Sequence, residues 1–168
     1  MNKKAQFYIL TALILIVIAF ALVQGQAQAY APASHFSELC DNIATESRTT
    51  VNQAIYSNED ISDSYRRFYT SFMIYAKTKD SGFGAAYALK DHDQITVFNQ
   101  IGKDIVIKDN MANVPDKGNT TLKARQTLTI QYDGKDYPMQ FSDRDVQVKI
   151  LAATQTATEK RVKTIDAG

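Results

Sequence analysis

The stretch ahead of Glu38 constrains this chain most. After Lys3 and Lys4 no Lys, Arg, Asp or Glu appears until Glu38, and within that gap Phe7–Val23 (FYILTALILIVIAFALV) has Thr11 as its single polar residue. As a helix this run spans about 25 Å at 1.5 Å per residue, near the lower limit for crossing a hydrocarbon core of ~30 Å. The uncharged flanks, Ala5-Gln6 before it and Gln24–Ala31 after it, allow it to lengthen at low cost. A domain of this size can hardly surround a helix that is apolar on every face, whereas in lipid a helix satisfies all of its own backbone groups.

Charge gives the orientation. Lys3 and Lys4 precede the run and Glu38, Asp41 and Glu46 follow it, so the positive-inside tendency places the N-terminus in the cytoplasm and the rest outside. The chain has 19 basic and 18 acidic residues, and only Lys3 and Lys4 lie before the run, so the outer part is close to neutral. That excludes a nucleic-acid binder working by bulk positive charge, and it predicts no attraction to anionic lipid beyond the anchor. Three fates of the run are open. It is a plain single-pass anchor, a secretory signal removed after Ala29, or a prepilin-type signal cut ahead of the apolar stretch. Its length exceeds that of the usual secretory signal core, which favours retention.

Lys3-Lys4-Ala5-Gln6, running directly into the apolar stretch, resembles the class III signal of archaeal type IV pilin-like proteins. The resemblance implies a basic leader over residues 1–5 and a prepilin-type peptidase as partner. The peptidase would cut between Ala5 and Gln6 and leave the helix on the mature protein. It further implies that Phe7, Ile9, Leu10, Leu13, Ile14, Ile16, Val17, Phe20 and Val23 form an anchor and assembly surface. That surface would meet membrane lipid or, in a type IV pilus-like surface filament, identical subunits. The specific motif covers the leader and the run; the remainder matches only in layout, a long N-terminal helix before a β-rich head. One position departs from the pattern. Many members carry Glu at the fifth mature position, where it sets subunit register, and here that residue is Leu10. A monomeric, membrane-tethered binding or adhesion domain is therefore the alternative, together with a soluble secreted protein if cleavage falls after Ala29.

Pro32 ends or kinks any helix that reaches it, and Ser34 is a candidate N-cap for a restart. Phe36, Leu39, Cys40, Ile43, Ser47, Val51, Ala54 and Ile55 then recur at three- and four-residue spacing, predicting an amphipathic helix to about Ser57. Ser62 or Asp63 is expected to cap a second helix ending near Lys79. Its Phe68, Phe72 and Tyr75, bordered by Tyr65 and Met73, form an aromatic face read as packing rather than as a partner- or sugar-binding stripe. Beyond it the period changes to two. Ala86–Lys90, Gln94–Asn99, Asp104–Lys108, Arg125–Tyr132, Lys135–Phe141 and Asp145–Ala153 read as strands, Met111–Asn119 as the longest loop and Thr154–Gly168 as a loose tail. Asp133-Gly134 is the strongest turn signal and pairs its flanking strands as a hairpin. The expected fold is α+β: a long N-terminal (transmembrane, pilin-like) helix, a second helix, then an antiparallel β-meander head of five or six strands. The regions are 1–5 leader, 6–33 anchor and linker, 34–79 amphipathic helices, 80–157 β head and 158–168 flexible tail.

No catalytic constellation is legible, so the chain reads as non-enzymatic, without metal or cofactor. The single cysteine, Cys40, lies on an apolar helical stripe, where burial is the expected state; exposed, it would be open to cross-linking or lipid. His35 and His92 are too few and too far apart for a zinc set. Asp91-His92-Asp93 has the composition of a metal fragment and the spacing of a tight turn. Asp143 and Asp145 around Arg144 suit a solvated strand edge better than a cation site. Neither a phosphate-cradling loop nor a nucleotide-binding glycine pattern is present. Asn119-Thr120-Thr121 is a glycosylation sequon, on the outer side in this orientation.

Overall fold

The computed structural model describes residues 33–156 and 159–168. Among the described residues two helices come first, α1 (Ala33–Tyr56) and α2 (Ile61–Lys79). α1 follows most of the apolar spacing read from the sequence, with Phe36, Leu39, Cys40, Ile43, Ser47, Val51 and Ala54 buried, but Ile55, expected on the same stripe, is exposed. α2 is capped by Asp60, not by Ser62 or Asp63. Asp60 has extended backbone angles, and its Oδ1 accepts the Asp63 amide at 2.7 Å, one of the first-turn donors that no helical carbonyl can reach.

Nine strands follow among the described residues: β1 (Phe83–Asp91), β2 (Gln94–Gln100), β3 (Ile105–Ile107), β4 (Ala112–Val114), β5 (Asn119–Lys123), β6 (Thr127–Tyr132), β7 (Lys135–Gln140), β8 (Val146–Gln155) and β9 (Lys160–Asp166). They form two antiparallel sheets with strand orders β5-β2-β1-β8-β9 and β4-β3-β6-β7. The expected architecture is thereby corrected. Among the described residues the helices are two separate amphipathic segments, and the strands make a two-sheet sandwich, not a single meander; the long N-terminal helix expected ahead of them lies outside the described residues. The chain passes from one sheet to the other after β2, β4, β5 and β7.

The physical cause lies in β1 and β8. Seven consecutive residues of β1, from Phe83, are buried, and so are eight of β8, from Gln147. On one face Ala85, Tyr87, Leu89, Val148, Ile150 and Ala152 pack with the helices. On the other, Ala86, Ala88, Leu151 and Ala153 pack with Ile105, Ile107, Leu128 and Ile130 of the second sheet. A strand covered on both sides reads as a continuous apolar run, and the small Ala86 and Ala88 leave room for the second layer.

Three strands sit where the sequence predicts none: β4 in the expected loop, β9 in the expected tail, and β5 at the end of that loop and in the unassigned stretch after it. β4 spans three residues and stops at Pro115. β5 and β9 are edge strands rich in polar side chains, which carry little apolar alternation. β9 pairs with β8 from Lys149↔Asp166 to Gln155↔Lys160, and Ile165 and Ala167 are buried, so this segment is fixed to the core and is not a flexible tail. The hairpins were legible. Asp133 (φ 53°) and Gly134 (φ 75°) form the two-residue turn between Tyr132 and Lys135, both in the left-handed region that a type I′ turn requires.

Candidate functional site

The processing pair Ala5 and Gln6 and the anchor residues Phe7, Ile9, Leu10, Leu13, Ile14, Ile16, Val17, Phe20 and Val23 lie outside the described residues. Among the described residues no helix is long and apolar enough to cross a membrane.

Between α2 and the first sheet lies an aromatic cluster. Tyr87 meets Tyr65 and Tyr69 edge-on, with ring centroids 4.8 and 4.7 Å away, and stacks on Phe98 at 5.7 Å. Each inner phenol has a partner: the Tyr69 hydroxyl donates to the Ala85 carbonyl at 2.6 Å, and Tyr65 shares a 2.8 Å hydrogen bond with Ser47 of α1. Burial pushes the Tyr65 and Tyr69 phenols well above their ordinary range and Tyr87 to about 12, so all three are neutral. The aromatic face is packing, as expected, but it is centred elsewhere. Tyr69, which the spacing left off the face, is fully buried; Tyr75, which it placed on the face, is 44% exposed. The signal that could have found Tyr69 is its i, i+4 relation to Tyr65 and i, i+3 relation to Phe72.

Beside this cluster the surface opens. Phe98 is half-buried on β2 and shares a shallow depression of about 600 Å³ with Arg66, Arg67, Thr70 and Ser71 of α2. Arg66 pairs with Asp63 at 3.0 Å and Arg67 with Glu59 at 3.6 Å. The cross-strand partner of Phe98 on the edge strand β5 is Asn119, and that of Thr96 is Thr121. Asn119 and Thr121 are exposed, and the Thr121 hydroxyl lies 3.4 Å from that of Thr96. The sequon therefore lies on an outer strand, on the face that carries α2, and not in a loop.

Cys40 is buried, as expected, and desolvation raises its thiol to about 11. His92 takes a left-handed turn conformation (φ 53°) between β1 and β2, with Nδ1 2.7 Å from the Asp91 carboxylate. Asp143, Arg144 and Asp145 lie not in a strand but in the connection between β7 and β8. The Lys90 ammonium donates to the Ser142 and Arg144 carbonyls, each at 2.8 Å, and the Gln147 side chain bonds Ser142 from the other side. Among the described residues no group of three or more His, Cys, Asp or Glu could hold a metal ion.

Comparison of the chain with protein-family models, curated proteins and solved structures finds no match in any of the three.

Proposed function

We propose that this chain is a non-enzymatic, pilin-like surface protein. In this reading an N-terminal apolar segment holds it in the membrane, and residues 34–168 form an extracytoplasmic head. The observation that supports it is the way the head receives the chain. α1 starts ten positions after Val23, and its apolar stripe is buried in the same cluster as β1 and β8. Ser47 of α1 bonds Tyr65 of α2, and Asp41 pairs with Lys163 of β9 at 3.3 Å. The segment that follows the apolar run is thus a structural member of the head, an arrangement that suits a subunit carried by its N-terminus.

N-terminal sequencing of the mature protein from fractionated cells tests it. A membrane or fibre fraction beginning at Gln6 is the expected result. A soluble protein beginning at Tyr30 overturns it. The second reading, a tethered monomer, is favoured by Leu10 at the position where the pilin-like pattern often has Glu. Electron microscopy of surface filaments separates the two: a subunit confined to membranes and absent from fibres sinks the filament reading.

A further inference from the structure

We propose that Asn119 carries an N-linked glycan whose first sugar rests on the Phe98 ring, in the depression between β2 and α2. The inference rests on the extracytoplasmic reading above. Asn119-Thr120-Thr121 is the one Asn-X-Ser/Thr sequence in the chain, and both of its functional side chains are exposed on one side of β5. β5 is an edge strand of five residues, paired only with β2, and Asn119 at its start is exposed on the face that carries α2. Directly opposed cross-strand residues hold their Cβ atoms about 5 Å apart. A sugar bonded to Asn119 therefore has the Phe98 ring, its cross-strand neighbour, within reach. A pyranose has an apolar C–H face that suits an aromatic ring, and hydroxyls that suit the Thr70 and Ser71 oxygens and the Arg66 and Arg67 guanidiniums lining the same depression.

The edges of the sandwich carry a second argument. β7 contains Pro138, which cannot donate to a new strand, β4 is only three residues long, and β9 carries Lys160, Arg161 and Lys163. These are the usual protections against edge-to-edge pairing. β5 (NTTLK) has no proline and no charge before Lys123, and a glycan at its first residue supplies the missing cover.

The reaction is a transfer from a lipid-carried glycan phosphate. The Asn119 amide nitrogen bonds to the anomeric carbon of the first sugar and the carbon–oxygen bond to the carrier phosphate breaks. The carrier leaves with that oxygen, and one amide proton passes to the transferase.

The test is the intact mass of the full chain purified from its source cells. The expected result is an excess of whole sugar residues on the peptide containing Asn119, lost in Asn119→Gln and Thr121→Ala and kept in Thr121→Ser. The seat on Phe98 is tested by melting: the glycosylated protein is expected about 2–4 °C above Asn119→Gln, a gap that closes in Phe98→Leu. Nuclear Overhauser contacts between the first sugar and the Phe98 ring test the seat without a variant. A glycan with neither contact nor melting gain overturns the seat, and an unmodified mass overturns the site. Protease treatment of intact cells separates the causes. An unmodified chain that protease reaches refutes this inference alone, and one it cannot reach refutes the extracytoplasmic reading as well.

Discussion

The Thr154 hydroxyl donates to Asp80 Oδ2 at 2.7 Å, joining the C-cap of α2 to β8 across 74 positions of sequence. Asp80 is buried, and its other carboxylate oxygen accepts the Gly82 amide at 2.9 Å. The chain is equally tight just beyond. A Cβ at Gly82 would stand 2.4 Å from the Gln155 carbonyl oxygen, so only glycine lets the chain leave α2 this close to β8.

Asp80→Ala leaves the buried Thr154 hydroxyl and the Gly82 amide without their acceptor. An unmet buried polar group costs about 1–3 kcal/mol, so Asp80→Ala is expected to lose roughly that much in urea unfolding. Asp80→Asn keeps an acceptor oxygen and loses less. Equal losses in the two variants would show that the corner is not held by this hydrogen bond.

Ser47 and Tyr65 tie α1 to α2 in a fully buried setting. Ser47→Ala strands the phenol, and Tyr65→Phe strands the serine, while the double variant removes both polar groups. The double variant is expected to be about 1 kcal/mol more stable than the sum of the single losses. A double-mutant cycle in denaturant measures that coupling, and strict additivity would refute it.

The buried phenols set the alkaline limit of the fold. The unfolded chain releases tyrosine protons near pH 10, whereas the folded state holds those of Tyr65, Tyr69 and Tyr87 to higher pH because burial disfavours phenolate. The folded state therefore binds more protons, and its stability, whole below pH 10, falls as pH rises through that value. Absorbance at the phenolate band is expected to rise together with the loss of circular dichroism. Independent ionisation of these three residues in folded protein would contradict their burial.

Cys40 is a reporter of whether α1 is seated. With its thiol raised to about 11 by desolvation, about one molecule in a thousand carries the thiolate at pH 8. A thiol reagent is expected to label the native protein very slowly and the unfolded chain at once. Prompt labelling of native protein would mean that α1 leaves the sheet readily.

His92 is fully exposed and titrates above its ordinary value near 6.5, chiefly through the hydrogen bond to Asp91 and that carboxylate's charge. The raised value favours the folded state below the unfolded pKa and loses that effect as pH rises through the folded one. Proton NMR of the imidazole reads the shift, and Asp91→Asn is expected to bring it back toward 6.5. An unchanged value in that variant would remove Asp91 as the cause.

Local signals carried most of the secondary structure. The apolar spacing from Phe36 to Ala54 and the Asp133-Gly134 turn act over a few residues, and both appear where the sequence put them. The second sheet was hidden because Ala86 and Ala88 read as filler in a half-buried strand, and only a covering layer makes them core. β9 was hidden because Lys160, Arg161 and Lys163 look like a solvated tail, and only its partner β8 fixes it. The sequon was visible as a motif, but Phe98 opposite Asn119 depends on the β2–β5 register, which no local pattern encodes.

The buried stripe of α1 also has a mechanical consequence. Strands in each sheet are joined by ladders of backbone hydrogen bonds, whereas α1 meets the first sheet through side chains alone, chiefly those from Phe36 to Ala54. A tension entering at the start of α1 therefore shears a greasy seam before it loads any ladder. Under such a pull the helix is the fuse of the head, giving way before the hydrogen-bonded sandwich behind it is loaded.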